Sequence, residues 1–122
     1  RGFLTGQISS RDDLPEDDYR RNDPRYSEKN FATNMELVDV VKTVAGRHHC
    51  SPAQIALAWL LGQADFIVPI PGSKRRATLE DSMAAVNVKL SEADFDELEA
   101  AAPVGGTAGP RYGEAMMSMV RL

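Results

Sequence analysis

Residues 52–61 constrain the fold of this chain more than any other segment. They read Pro-Ala-Gln-Ile-Ala-Leu-Ala-Trp-Leu-Leu, which is apolar on nearly every side of a helix. Ser51 can cap this helix, Pro52 suits its first position, and Gln54 lies where a capping box places its reciprocal side chain. A helix that is apolar all round must be buried on most of its surface. Other parts of the chain, or another polypeptide, must therefore cover it.

The next segment, residues 66–70, is predicted to be a buried strand. It reads Phe-Ile-Val-Pro-Ile and lies between Asp65 and a Pro-Gly pair. Pro69 has no amide donor, which indicates that regular pairing ends here. One strand cannot satisfy its own backbone amides and carbonyls. The chain is therefore either mostly helical, with this segment misassigned, or part of a larger sheet, and the apolar helix favours the larger sheet.

Two other helices are predicted from their caps. Thr33 and Glu36 have the spacing of a capping box and predict a helix that ends near Gly46. Ser91 and Asp94 have the same spacing and predict a last helix that ends before a proline. We predict that residues 7–30 form a long mobile loop and that residues 104–122 form a C-terminal tail. The loop is either a lid over a ligand or a solvated surface segment.

A short polar segment, Gly72-Ser73-Lys74-Arg75-Arg76, follows the predicted strand and precedes another helix. Glycine lets a backbone approach a ligand closely, and the start of a helix supplies free amides and partial positive charge. The cationic side chains and the serine hydroxyl would add charge and a donor for a phosphate. The pattern predicts anion binding, and the alternative is a solvated basic turn. The helix that follows carries apolar residues at Leu79, Met83 and Val86.

Charge and composition narrow the classes of partner. The net charge is -4, with 14 basic against 18 acidic residues, which argues against a nucleic-acid or membrane-surface binder. No apolar run approaches the roughly 20 residues that span a bilayer. The one cysteine, Cys50, fits a reducing compartment, so a cytoplasmic location is expected. It follows His48 and His49, but no second Cys or His cluster completes a metal site, so no metal is expected.

Several segments together resemble the aldo-keto reductase family. Residues 70–75, Ile-Pro-Gly-Ser-Lys-Arg, followed by Leu-Glu-Asp-Ser at 79–82, resemble that family's cofactor-binding signature. The first six residues, Arg-Gly-Phe-Leu-Thr-Gly, are similar to the stretch after the seventh barrel strand. Residues 51–61 look like the seventh helix, and Gly-Pro-Arg-Tyr at 109–112 resembles the C-terminal segment.

The resemblance implies an α/β fold and an NADPH-dependent reaction. The family folds as an eight-stranded parallel β/α barrel, a TIM barrel, and reduces carbonyl compounds. Residues 1–122 would be the C-terminal part of a (β/α)8 barrel, from the loop after strand seven to the tail. The remaining strands would come from the same or another polypeptide, and the substrate would be a small carbonyl compound. The alternative is a stand-alone phosphate- or nucleotide-binding or interaction module without catalysis.

The resemblance also implies roles for individual residues. No catalytic residue carries over, because the family's Asp, Tyr, Lys and His tetrad lies in the first half of the barrel, so this chain alone should not catalyse. Thr78 departs from the arginine that often packs on the adenine and the 2′-phosphate, and Arg75 or Arg76 could replace it. The implied cofactor contacts are Ser73 and Lys74 at the 2′-phosphate, Arg75 in place of the arginine missing at position 78, Ile70, Pro71 and Gly72 along the channel, Arg1, Gly2 and Leu4 along the pyrophosphate, and Glu80, Asp81 and Ser82 near the adenine.

Overall fold

A computed structural model describes residues 1–120, and that part of the chain is helical. Its α-helices are α1 (Glu28–Arg47), α2 (Pro52–Leu61), α3 (Arg76–Ala84), α4 (Glu92–Ala101) and α5 (Glu114–Met117). Short 3-10 turns precede α1, at Phe3–Thr5, Arg11–Asp13, Tyr19–Asn22 and Pro24–Tyr26, and another follows α3, at Ala85–Asn87. Within residues 1–120, no helix is both long enough and apolar enough to cross a membrane.

The predicted strand at residues 66–70 is wrong. These residues have no regular secondary structure, and Phe66, Val68 and Ile70 are 87%, 80% and 93% exposed. A strand needs a neighbour for its amides and carbonyls, and the described residues contain no second strand to supply one. The segment therefore stays irregular and its apolar side chains stay uncovered.

The first long helix begins earlier than its predicted cap. α1 begins at Glu28 with Ser27 as its N-cap, whereas Thr33 lies exposed inside the helix. The cause is packing. Phe31 is buried beside Tyr26, and Phe3 meets both rings edge-on at centroid distances of 5.4 and 5.0 Å. This aromatic contact holds the first turn of α1 in place and overrides the local capping signal at Thr33.

The second helix starts as predicted, but it is only partly buried. The Ser51 hydroxyl accepts from the Gln54 backbone amide at 3.1 Å, which confirms the cap. The reciprocal bond of a capping box is absent, because the Gln54 side chain donates to Asp81 instead. Ile55 and Ala58 are buried, whereas Leu60 is 39% exposed. The described residues therefore leave much of this apolar helix uncovered.

The last predicted helix is confirmed, and its cap also joins two helices. The Asp94 carboxylate accepts from the Ser91 amide and hydroxyl at 2.9 and 2.7 Å, which is the expected capping box. It also accepts from Arg47 at 2.8 Å and pairs with His48 at 2.9 Å. Because these groups stabilise the charged form, the pKa of Asp94 lies well below its usual value. The end of α1 is thus fixed to the start of α4.

Two small apolar clusters form the core. The first lies where α1, α2 and α4 meet and contains Val41, Val44, Ala45, Ile55 and Leu98. The second lies where the loop of residues 7–30 folds onto the start of α1, and it contains Ile8, Leu14, Tyr26 and Phe31. The loop is therefore anchored by buried side chains, and its mobility remains a prediction.

An apolar surface on α3 remains uncovered by the described residues. Leu79 and Met83 on α3 are 46% and 63% exposed, and Val86, in the 3-10 turn that follows, is 60% exposed. Together with Leu60 of α2, they make up what we call the open apolar surface.

Candidate functional site

An open cleft of about 1610 Å³ lies between the N-terminal turn, the loop after it, the starts of α2 and α3, and the tail. It collects most of the residues that the sequence assigned to cofactor binding. Ile70 and Glu80 do not line it. The predicted residues that do are Arg1, Gly2, Leu4, Pro71, Gly72, Ser73, Lys74, Arg75, Asp81 and Ser82.

The cleft is positively charged although the chain is acidic. Six cationic side chains and three carboxylates line it, which leaves a net charge of +3 in a chain of net charge -4. Its cations are Arg1, Arg20, Arg25, Lys74, Arg75 and Arg111, and its carboxylates are Asp18, Asp23 and Asp81. A concave surface lined by one sign of charge attracts ligands of the opposite sign. This cleft favours an anion.

The N-terminal turn is shaped by glycines. Gly2 and Gly6 flank the 3-10 turn with φ of 80° and 68°, a left-handed conformation that favours glycine. The Thr5 hydroxyl closes the turn by donating to the Gly2 carbonyl at 2.6 Å. The Arg1 carbonyl accepts from the Tyr26 hydroxyl at 3.0 Å, which fixes the turn to the loop. Gly2 lines the cleft, and a Cβ there would lie 3.5 Å from the Arg20 guanidinium.

The turn before α3 presents two unpaired cations. Lys74 and Arg75 form no ion pair with any residue of the described range 1–120, whereas Arg76 pairs with Glu80 at 2.7 Å outside the cleft. The Ser73 hydroxyl donates to the Arg75 carbonyl at 2.9 Å and holds the turn. At Gly72, a Cβ would meet nothing within 4 Å, and φ is not left-handed. Neither its backbone conformation nor its packing within the described residues requires this glycine.

Asp81 has a structural contact that the sequence did not suggest. Its carboxylate accepts from the Ser51 hydroxyl and from the Gln54 amide, both at 2.8 Å. These bonds join the start of α2 to α3 and fix the floor of the cleft. Burial raises the pKa of the Cys50 thiol, and the Asp81 charge adds to the effect. A contact between Asp81 and an adenine remains a prediction.

Sequence reasoning missed the cleft residues that come from the loop and the tail. Arg20 lines the cleft in a bidentate pair with Asp18, at 2.9 and 2.6 Å, which lowers the pKa of Asp18 to about 2. Arg1 pairs with the buried Asp23. The density of charge in the loop was a signal, but nothing in the sequence showed which charges face the cleft. Arg25, Arg111 and Tyr112 were likewise missed.

Comparisons with known proteins find relatives for most of this chain. Residues 1–103 match the model of the aldo/keto reductase family. The chain is 47% identical over 112 residues to the aldo-keto reductase yakc of Schizosaccharomyces pombe, whose name carries NADP(+); the match covers 92% of this chain and 33% of that protein.

Two further relatives come from a plant and a fungus. A probable aldo-keto reductase 1 of Glycine max is 37% identical over 112 residues, which are 92% of this chain and 32% of the relative. The aldo-keto reductase str7 of Strobilurus tenacellus is 39% identical over 92 residues, 75% of this chain and 27% of the relative. The chain spans about a third of the length of the curated relatives it matches. It belongs to the aldo/keto reductase family.

Proposed function

We propose that residues 1–122 form the C-terminal part of a (β/α)8 barrel and supply part of the NADPH site of an oxidoreductase. The reaction is the reduction of aldehydes or ketones to alcohols. The observation that carries the proposal is the cleft, which gathers ten of the twelve predicted cofactor residues and is net positive in an acidic chain. The NADP(+) in the name of the Schizosaccharomyces pombe relative supports the choice of cofactor.

The residues present suit a phosphorylated nucleotide. Lys74 and Arg75 are exposed cations without an acidic partner in the described residues, so both can form ion pairs with a phosphate. At Gly72 there is open space that a Cβ would fill, and the backbone conformation there does not require a glycine. We assign Ser73, Lys74 and Arg75 to the 2′-phosphate and the turn at Gly2 and Leu4 to the pyrophosphate. NADPH, when bound, supplies the hydride.

The uncovered surfaces support a larger barrel. In a parallel barrel, strands lie under helices on one face and fill the interior on the other, so they read as continuous apolar runs. Residues 66–70 have this composition, and Phe66, Val68 and Ile70 among them are almost fully exposed. The described residues also leave the open apolar surface on α2 and α3 uncovered. We propose that the remaining barrel strands, from the same or another polypeptide, cover both.

The chain's own contribution is binding and not proton transfer. We carry none of its tyrosines over as the proton donor, because none of them lies in the family's catalytic motif. The chain holds the phosphates, and the part of the barrel that contains the tetrad would protonate the carbonyl oxygen. The substrate class beyond a small carbonyl compound is set by loops outside this segment.

A chimaeric enzyme tests the proposal. The segment of this chain that matches the Schizosaccharomyces pombe relative would replace the corresponding third of that protein, with the unaltered relative as the positive control. We expect the chimaera to oxidise NADPH when given a reactive aldehyde and to bind NADPH, as measured by cofactor fluorescence. A folded chimaera that neither binds NADPH nor reduces the aldehyde would contradict the proposal and favour a stand-alone binding module.

A further inference from the structure

The C-terminal tail is locked against the start of α1 by a single buried amide. Asn34 is 4% exposed, and its Nδ2 donates to the Ala108 carbonyl at 2.9 Å and to the Arg25 carbonyl at 3.0 Å. Its Oδ1 accepts from the Ala108 backbone amide at 2.9 Å. Backbone groups therefore satisfy both the Nδ2 donor and the Oδ1 acceptor of this amide. Ala108 lies 74 residues after Asn34 in the sequence. This arrangement fixes the path of the tail.

A glycine lets the tail approach closely. Gly109 has φ of 85°, and a Cβ at this position would lie 2.7 Å from Asn30 Nδ2 and 2.9 Å from the Pro24 carbonyl oxygen. Neither the backbone conformation nor the space admits another residue without a shift. Asn30 itself donates to the Pro24 carbonyl at 2.8 Å, so the surface under the tail is held rigid.

The locked tail delivers two residues to one end of the cleft. The ring of Tyr112 lies under the Arg1 guanidinium, with 4.6 Å between the guanidinium carbon and the ring centroid. Arg111 also lines the cleft. The Arg25 Nε donates to the Gly109 carbonyl at 3.5 Å, and burial together with the charges of Arg111 and Arg1 lowers the pKa of Arg25. Arg1 is paired with Asp23, but Arg25 and Arg111 have no acidic partner among residues 1–120.

This end of the cleft therefore carries an excess of positive charge. Three guanidinium groups meet one carboxylate, which leaves two positive charges without compensation in the described residues. Like charges held together destabilise one another unless an anion lies between them. A guanidinium presents its donors in a planar fork that matches a carboxylate or a phosphate.

We propose that Arg25 and Arg111, positioned by the Asn34 lock on the tail, form a second anion subsite of the cleft. It is built from different elements than the turn at residues 72–75. Its ligand is a carboxylate or phosphate group, either a carboxylate on the carbonyl substrate or the pyrophosphate of the cofactor. The subsite rests on the proposed function, because it assumes that the cleft holds the cofactor and the substrate of a reductase.

The test uses the chimaera and compares Arg111→Ala with Arg76→Ala, an arginine paired outside the cleft. Three quantities are measured: the Kd for NADPH, the KM for succinic semialdehyde, and the KM for butanal, a neutral aldehyde of equal chain length. A substrate carboxylate predicts that Arg111→Ala raises only the KM for succinic semialdehyde, by about tenfold. A cofactor pyrophosphate predicts that it raises the Kd for NADPH by about tenfold. Arg76→Ala should leave all three within twofold.

The Asn34→Ala variant tests the positioning role. It should reproduce the selective change of Arg111→Ala with kcat for butanal retained, and the double variant should add nothing further, because both act on one subsite. A purely structural role would lower kcat for both aldehydes or destabilise the protein without selectivity. Asn34→Asp would place a buried carboxylate against the carbonyl oxygens of Arg25 and Ala108, so it should disturb the tail at least as much as Asn34→Ala.

Failure of the subsite and failure of the proposed function are distinguishable. If the unaltered chimaera reduces aldehydes and Arg111→Ala leaves all three quantities within twofold, the subsite is wrong and the reductase stands. If the unaltered chimaera folds but neither binds NADPH nor reduces an aldehyde, the proposed function is wrong. The subsite is then tested with inorganic pyrophosphate by titration calorimetry, where an affinity unchanged in Arg111→Ala overturns it and a tenfold loss supports it.

Discussion

Replacing Lys74 with alanine tests the assignment of the phosphate turn. In the chimaera, Lys74→Ala should weaken the binding of NADPH and leave the binding of NADH nearly unchanged. The two cofactors differ only in the 2′-phosphate, and Lys74 is the exposed, unpaired cation that we assign to it. Lys74 forms no ion pair with any described residue. Replacing it with alanine should therefore remove the contact with the cofactor and change little else.

The expected magnitude follows from the exposure of the side chain. Hydrogen bonds to charged groups contribute roughly 1.5–3 kcal/mol. Lys74 is exposed to solvent, which screens its charge, so the lower end of about 1.5 kcal/mol applies. About 1.4 kcal/mol corresponds to a factor of about ten in Kd. We therefore expect a tenfold rise in the Kd for NADPH and less than a twofold change for NADH.

Arg76→Ala is the matched control, since Arg76 lies two residues away on the same basic run. Its guanidinium pairs with Glu80 at 2.7 Å and does not line the cleft. Exposed pairs of this kind contribute little to stability, so both Kd values should stay within twofold. The assay is titration of cofactor fluorescence at fixed ionic strength. Equal losses of NADPH and NADH in Lys74→Ala, or a loss of NADPH binding in Arg76→Ala as large as that in Lys74→Ala, would refute the reasoning.

Two further predictions concern stability and the loop. Asp94→Ala should lower the free energy of unfolding of the chimaera, measured in urea, by about 1–3 kcal/mol. This is the combined range for a lost helix cap and lost charged hydrogen bonds. The control Glu99→Ala, at an exposed position, should change the free energy of unfolding by less than about 0.5 kcal/mol. Because the folded pKa of Asp94 is depressed, its contribution is complete above the unfolded value of about 3.9 and falls in more acidic solution, so wild type and Asp94→Ala should converge as the pH drops below about 4. Trypsin should cut the loop near Arg20 and Arg21, and saturating NADPH should slow the cut; an unchanged rate would leave only the solvated-segment interpretation.

Local signals predicted the helix caps, because a cap depends on residues close in sequence. Ser51 and Ser91 cap the helices they were assigned to. Thr33 failed because Phe31, two residues before it, packs on aromatic rings from the N-terminal turn and the loop. The contact that decided the start of α1 was tertiary, and no local spacing reports it.

The site was only partly predictable for the same reason. The turn at residues 72–75 is contiguous, so its chemistry could be read from sequence. The tail lock joins Asn34 to Ala108, and the cleft joins Arg25 to the far end of the chain. The strand at 66–70 was predicted from its apolar composition, which indicates that a segment is suited to burial. Composition cannot show whether a partner strand is present.

Sedimentation velocity of the isolated 122 residues tests the central claim, that this segment is made to pack against other barrel strands. It would be run alone and after mixing with the preceding two thirds of the Schizosaccharomyces pombe relative. The open apolar surface and the uncovered segment 66–70 predict self-association alone and a one-to-one complex after mixing. A stable monomer at all concentrations that ignores the added polypeptide would contradict the account.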